Sequence, residues 1–140
     1  MILRLNVNAA GGFGSGQSWL TDKNGDEELK QGTGMVIDGS IWVIKSGGLL
    51  KFTRGVKDTV TVSGLEKEWG NGAVIFTDDN TKQLYILDPA NKRVVVLDKT
   101  GQYAKQYISD TLGETRDLTV DENGGKMYFV GETKVWAASL

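Results

Sequence analysis

Three short apolar runs decide the reading of this chain: Ile41-Trp42-Val43-Ile44, Leu84-Tyr85-Ile86-Leu87 and Met127-Tyr128-Phe129-Val130. Each carries its aromatic residue in second place, and Trp42, Tyr85 and Tyr128 are 43 positions apart. The runs are too short for helices and too uniformly apolar for half-exposed strands, so they predict strands buried on both faces. A fixed interval with a fixed internal pattern is the mark of a repeat architecture.

The flanks repeat with the runs. Ala73-Val74-Ile75-Phe76-Thr77-Asp78-Asp79 precedes the second, and Arg116-Asp117-Leu118-Thr119-Val120-Asp121-Glu122 precedes the third. Met35-Val36-Ile37 precedes the first through a tighter Asp38-Gly39-Ser40 turn. Asp-Gly between apolar runs signals a hairpin. After the runs come further turns and third strands: Leu49-Leu50-Lys51-Phe52, Arg93-Val94-Val95-Val96-Leu97-Asp98 and Val135-Trp136-Ala137-Ala138-Ser139-Leu140. Pro89, the single proline, falls in one of those turns, where its missing N–H costs no ladder bond. More polar stretches follow, Thr59-Val60-Thr61-Val62-Ser63 and Tyr103-Ala104-Lys105-Gln106-Tyr107-Ile108, and read as outer fourth strands.

Four antiparallel strands in about 43 residues is the size of a β-propeller blade. A β-sandwich also spaces strands evenly, but it gives no reason for an aromatic to return at a fixed interval. The expected fold is therefore all-β, a β-propeller segment of about three four-stranded antiparallel blades in an incomplete ring. As one partial domain over 1–140, it divides into the end of a preceding blade plus a connection (1–31), a blade (32–71), a second blade (72–115) and three strands of a last one (116–140). Ile2-Leu3-Arg4-Leu5-Asn6-Val7 reads as a third strand and Gly16-Gln17-Ser18-Trp19-Leu20 as its outer neighbour. Propellers close with four to eight blades, so one chain does not close the ring. The remaining blades come from a longer chain or from a homo-oligomer. Both ends falling inside blades favours the longer chain.

Composition narrows the chemistry. The chain has 140 residues, 19 glycines, no cysteine and no histidine. Disulfides, thiolate nucleophiles, cysteine zinc sites, Ser-His-Asp triads and imidazole ligands are thereby excluded. Sixteen basic and eighteen acidic residues give a net charge of −2, with no basic stripe for strong nucleic-acid binding. No apolar run approaches the roughly 18 residues of a membrane span. Met1-Ile2-Leu3-Arg4-Leu5 has no signal-peptide pattern.

The middle repeat carries a family likeness. Asn71-Gly72-Ala73-Val74-Ile75-Phe76-Thr77-Asp78, Leu84-Tyr85-Ile86-Leu87-Asp88 and Asn91-Lys92-Arg93-Val94-Val95-Val96-Leu97-Asp98-Lys99-Thr100-Gly101 together resemble an NHL-type repeat of the six-bladed kind. The first and third repeats share only the apolar cores and lack the Asn-x-Arg element. The likeness spans roughly Thr33 to Leu140. The stretch also resembles C-terminal propeller regions of bacterial membrane-attached proteins, some with a phosphatase-like module upstream, whose residues are not in this chain. These resemblances imply a binding or sensing platform on the extracytoplasmic face of a bacterial membrane. Some NHL relatives are enzymes that use bound metal.

Candidate site residues follow from the blade layout. Asp88, Asn91 and Arg93 lie on the loop between second and third strands of the middle blade, and Lys45 is on the equivalent loop of the first. Arg93 is placed either to pin that loop through Asp88 or to meet a ligand carboxylate or phosphate. Trp69 and Arg116 precede the first strands of their blades, and an aromatic with an arginine suits a binding hot spot. Asp22, Asn24 and Asp26 match positions one, three and five of a calcium loop. Glu27 and Thr33 occupy positions where that loop needs glycine and glutamate, so a polar turn before a short helical piece is the stronger reading. The pairs Asp78-Asp79 and Asp121-Glu122 recur at turns, where such side chains bond the local backbone. Gly11-Gly12-Phe13-Gly14-Ser15-Gly16 lacks the Lys-Ser/Thr of a phosphate loop and reads as a flexible connection between blades.

The expected function is a non-enzymatic binding, scaffold or sensor segment that contacts a protein, peptide or glycan through its loop face. The alternative is part of a propeller lyase or hydrolase with carboxylate-bound metal, which requires acids from several blades to converge on one point.

Overall fold

A computed structural model describes residues 1–21 and 25–140. The chain is all-β, with antiparallel sheets that stand side by side and, among the described residues, do not close into a ring. A two-stranded ribbon pairs β1 (Leu3–Arg4) with β2 (Gln17–Ser18). One short helix, α1 (Asp26–Leu29), follows it. Sheet I then runs β3 (Gly32–Ile37), β4 (Ile41–Lys45), β5 (Gly48–Thr53) and β6 (Val56–Asp58). Sheet II runs β7 (Val74–Phe76), β8 (Gln83–Asp88), β9 (Arg93–Asp98) and β10 (Tyr103–Ile108). Sheet III has three strands, β11 (Thr115–Asp121), β12 (Lys126–Gly131) and β13 (Val135–Ser139).

Within each sheet, chain neighbours are spatial neighbours. Between sheets the first strands approach one another, β3 to β7 and β7 to β11. The sheets therefore fan out from their first strands, which is the layout of propeller blades. No helix among the described residues is long and apolar enough to cross a membrane.

The apolar runs form the middle of this stack. Trp42, Ile44 and Leu49 of sheet I pack on Ile75, Ile86 and Leu97 of sheet II. Tyr85, Leu87 and Val94 of sheet II pack on Leu118, Met127 and Phe129 of sheet III. The central strands β8 and β9 are consequently buried along nearly their whole length. The third run departs from the expectation. Met127 and Phe129 are buried, but Tyr128 and Val130 are exposed, because no sheet covers that side of sheet III.

Two further expectations are corrected. The outer strand of sheet I is Val56–Asp58, not Thr59–Ser63. Arg54 and Gly55 both take positive φ, 52° and 85°, which makes the tight primed turn that returns the chain at once. A Cβ on Gly55 would also lie 2.7 Å from the Trp19 carbonyl. Thr59–Ser63 instead crosses to sheet II, where Val60 and Val62 pack on its core and Ser63 accepts from the Tyr103 amide at 2.9 Å. The glycine-rich stretch is no inter-blade connection either. It is a turn within the ribbon: Val7 bridges Phe13, and Asn8 Oδ1 accepts from the Ala10 and Gly12 amides, each at 3.0 Å.

Among the described residues, three carboxylates are held below their ordinary range. The hydroxyl of Thr100 and the Thr100 and Gln102 amides stabilise ionised Asp98, Lys92 does so for Asp110, and Lys57 for Glu28. A carboxylate with a lowered folded pKa stabilises the fold above its unfolded value and loses that contribution as pH falls through the folded value. The urea midpoint should therefore drop as pH falls below about 4.5, and the drop should be shallower in Asp98→Asn. A midpoint constant from about pH 6 to pH 3 would contradict this assignment.

Candidate functional site

The residues Asp88, Asn91, Arg93, Trp69 and Lys45 converge where sheets I and II meet. Strand β8 ends at Asp88, Pro89–Asn91 makes one 3-10 turn, and Lys92 at φ 52° reverses the chain into β9. Asp88 and Arg93 thus face each other across the base of the hairpin. Arg93 Nε donates to Asp88 Oδ2 at 2.9 Å, and both side chains are buried.

The other donors of Arg93 hold the chain that links the two sheets. Its Nη2 donates to the Lys67 and Glu68 carbonyls at 2.6 and 3.1 Å, and Nη1 donates to Gln106 Oε1 at 3.2 Å. Asp88 accepts from the Gly70 amide at 3.1 Å and from Asn91 Nδ2 at 2.7 Å. From the other side, buried Trp69 donates its indole N–H to the Lys45 carbonyl at 2.9 Å. Residue 70 must approach closely: a Cβ on Gly70 would lie 2.6 Å from Ala90 Cβ. A guanidinium has five N–H donors, and these four bonds engage most of them. Of the two placements open to Arg93, the structure has it pinning the loop and, with it, the linker.

Arg116 is placed differently. The β11–β12 register shifts between Thr115 and Asp117, which leaves Arg116 unpaired at a bulge and turned outward. It is 61% exposed, and its Nη2 lies 3.2 Å from Glu132 Oε1, itself exposed. Arg116 lines an open cleft of about 550 Å³ with Glu114, Glu132, Thr133, Lys134 and Trp136. The Lys45 side chain borders another polar cleft, of about 640 Å³, beside Glu28 and Lys57.

The calcium-loop residues Asp22 and Asn24 lie outside the described residues. Asp26 opens α1, and its Oδ1 lies 3.2 Å from the amino group of Met1. Among the described residues, no three Asp or Glu side chains converge as a metal-binding group. Of the repeated turn acids, Asp78 and Asp121 bond the local backbone as expected, Asp78 Oδ1 accepting from the Asn80 amide at 2.9 Å and Asp121 Oδ1 from the Gly124 amide at 2.8 Å, whereas Glu122 departs from that expectation and bonds to sheet II.

Two further polar bridges join the sheets at the opposite ends of these strands, and neither stands out in the sequence. Glu122 of the third repeat reaches sheet II, accepting from the Lys82 and Gln83 amides at 2.9 and 3.2 Å and from the Tyr85 hydroxyl at 3.0 Å. Burial, and then this bond to a carboxylate, push the Tyr85 phenol above its usual range. Between sheets I and II, Lys99 donates to Asp38 and Thr77, while Asp38 Oδ1 accepts from the Trp42 indole at 2.8 Å. The signal for Glu122 is its alignment with Asp79 in the repeat. Asp79 is one methylene shorter and stays exposed. Compared with models of protein families, with curated proteins and with solved structures, the chain shows no match.

Proposed function

We propose that the chain is a non-enzymatic binding segment of an NHL-like propeller. It takes an acidic peptide or protein segment in the cleft beside Arg116. The observation that carries this reading is the contrast between the two arginines. Arg93 is buried with its donors engaged inside the chain, whereas Arg116 is held out on a bulge beside Lys134 and Trp136. A guanidinium with free donors suits a carboxylate, and a neighbouring indole supplies apolar area at low entropic cost. Glu132 occupies that position now, as an exposed and therefore weak internal partner that an incoming carboxylate can replace.

The test is to pan a random-peptide display library against the 140-residue chain and to measure selected peptides by interferometry. Acidic sequences should be enriched. Arg116→Ala with Lys134→Ala should weaken them by about tenfold or more. Glu132→Gln should bind them at least as well as the parent. No enrichment, or enrichment indifferent to both arginine and lysine, would overturn the reading.

A further inference from the structure

The chain contains two junctions between sheets, and both are built alike. The side of sheet I that carries Trp42 and Ile44 packs on the side of sheet II that carries Ile75. The side of sheet II that carries Tyr85 and Leu87 packs on the side of sheet III that carries Leu118 and Val120. Call these the leading and trailing sides of a sheet.

The repeat locates the same leading half bare on sheet III and the β3 strip of the trailing half bare on sheet I. Tyr128 and Val130, on the leading side of sheet III, stand 43 residues after Tyr85 and Leu87 and are 37% and 43% exposed. Met35 and Ile37, on the trailing side of sheet I, precede Asp38 as Ile75 and Thr77 precede Asp78. They are 58% and 57% exposed, whereas Ile75 and Thr77 are buried. One chain therefore displays the leading half of an interface that it makes twice within itself, and the β3 strip of the trailing half beside the ribbon.

We propose that these halves meet in a second copy of the chain, the leading side of sheet III on one copy covering the trailing side of sheet I on the other. The contact is heterologous, between two different patches. Made reciprocally by two chains, it joins two sets of three sheets into a ring of about six blades, inside the four to eight of propellers.

The ribbon supports the same arrangement. Ile2, Trp19 and Leu20 seat it on Ile41, Val43, Leu50 and Phe52, the trailing side of β4 and β5, and leave β3 bare. Sheet III has three strands where sheets I and II have four, and β13 forms its open edge. With the second copy's sheet III docked over β3, its β13 edge runs toward the ribbon. The ribbon then stands where sheet III lacks its outer strand. Covering that edge also removes an exposed pairing site.

The chain has no cysteine, so single cysteines report this contact directly. Met35→Cys and Val130→Cys are both at exposed positions, and their circular dichroism should match that of the parent. Mixed together and treated with a short bis-maleimide, the two variants should yield a cross-linked dimer that neither yields alone. Light scattering on the parent should give twice the 15.2 kDa chain mass, and Tyr128→Asp should return it to a monomer with unchanged circular dichroism. A monomer up to high micromolar concentration would overturn the proposal. So would cross-linking of either variant to itself, or a ladder of higher multiples in place of a closed pair.

Discussion

Replacing Arg93 with methionine is expected to cost about 3–5 kcal/mol, measured as the loss of unfolding free energy in urea. The size follows from what remains behind. Asp88 has a side chain that is 0% exposed, and without Arg93 it keeps only the Gly70 amide and the Asn91 amide group as donors. A buried carboxylate left without its cation is costly, although a buried ion pair as a whole contributes little compared with apolar packing. The Lys67 and Glu68 carbonyls lose their donor in the same step, which loosens the linker between sheets I and II. Total stabilities of about 5–15 kcal/mol make this a large fraction. Arg93→Lys should recover little, because one ammonium does not reproduce a fork that meets a carboxylate, a glutamine and two carbonyls at once. Asp88→Asn combined with Arg93→Met should be less destabilised than Arg93→Met alone, since it removes the uncompensated charge. Equal loss in the single and the double variant would show that the cost lies in the linker and not in the buried charge.

The strands were legible because burial on two faces leaves an unmistakable trace. Ile86 and Val95 have no polar side to show, and their neighbours repeat at a fixed distance. The turn at Arg54-Gly55 was hidden because arginine seldom adopts positive φ, so nothing in its identity announces a hairpin. Val60 and Val62 alternate with threonines as an outer strand would, yet the alternation here arises from one side of a linker lying on sheet II. Pattern alone does not distinguish these two cases, since both bury every second residue. Among the site residues, Asp88, Asn91 and Arg93 were visible as a set, and their shared pinning role follows from Asp88 and Arg93 standing opposite each other at a hairpin base. Glu122 was visible only as a turn acid, and its bridging role was not, because that role depends on the reach of one methylene toward a neighbouring sheet.

The aromatic position of the repeat provides a comparison within a single chain. Trp42→Ala is expected to cost about 3–5 kcal/mol, because the indole is 1% exposed and its loss opens a cavity between sheets I and II. Asp38 loses an indole donor at the same time, while keeping Lys99 and the Ser40 amide. Trp42→Phe should recover most of the packing and retain a deficit of about 1 kcal/mol for that bond. Tyr128→Ala, at the equivalent position of sheet III, should cost the isolated chain only about 0.5 kcal/mol, since no sheet covers Tyr128. Sequence pattern treats the two residues as the same; their burial does not. If the second copy covers Tyr128, the cost of Tyr128→Ala will grow with protein concentration, because association stabilises only the folded state that associates. The cost of Trp42→Ala will not grow in that way, because its junction lies inside one chain. Urea melts of both variants at two concentrations, about a hundredfold apart, separate a junction that folding completes from one that assembly completes.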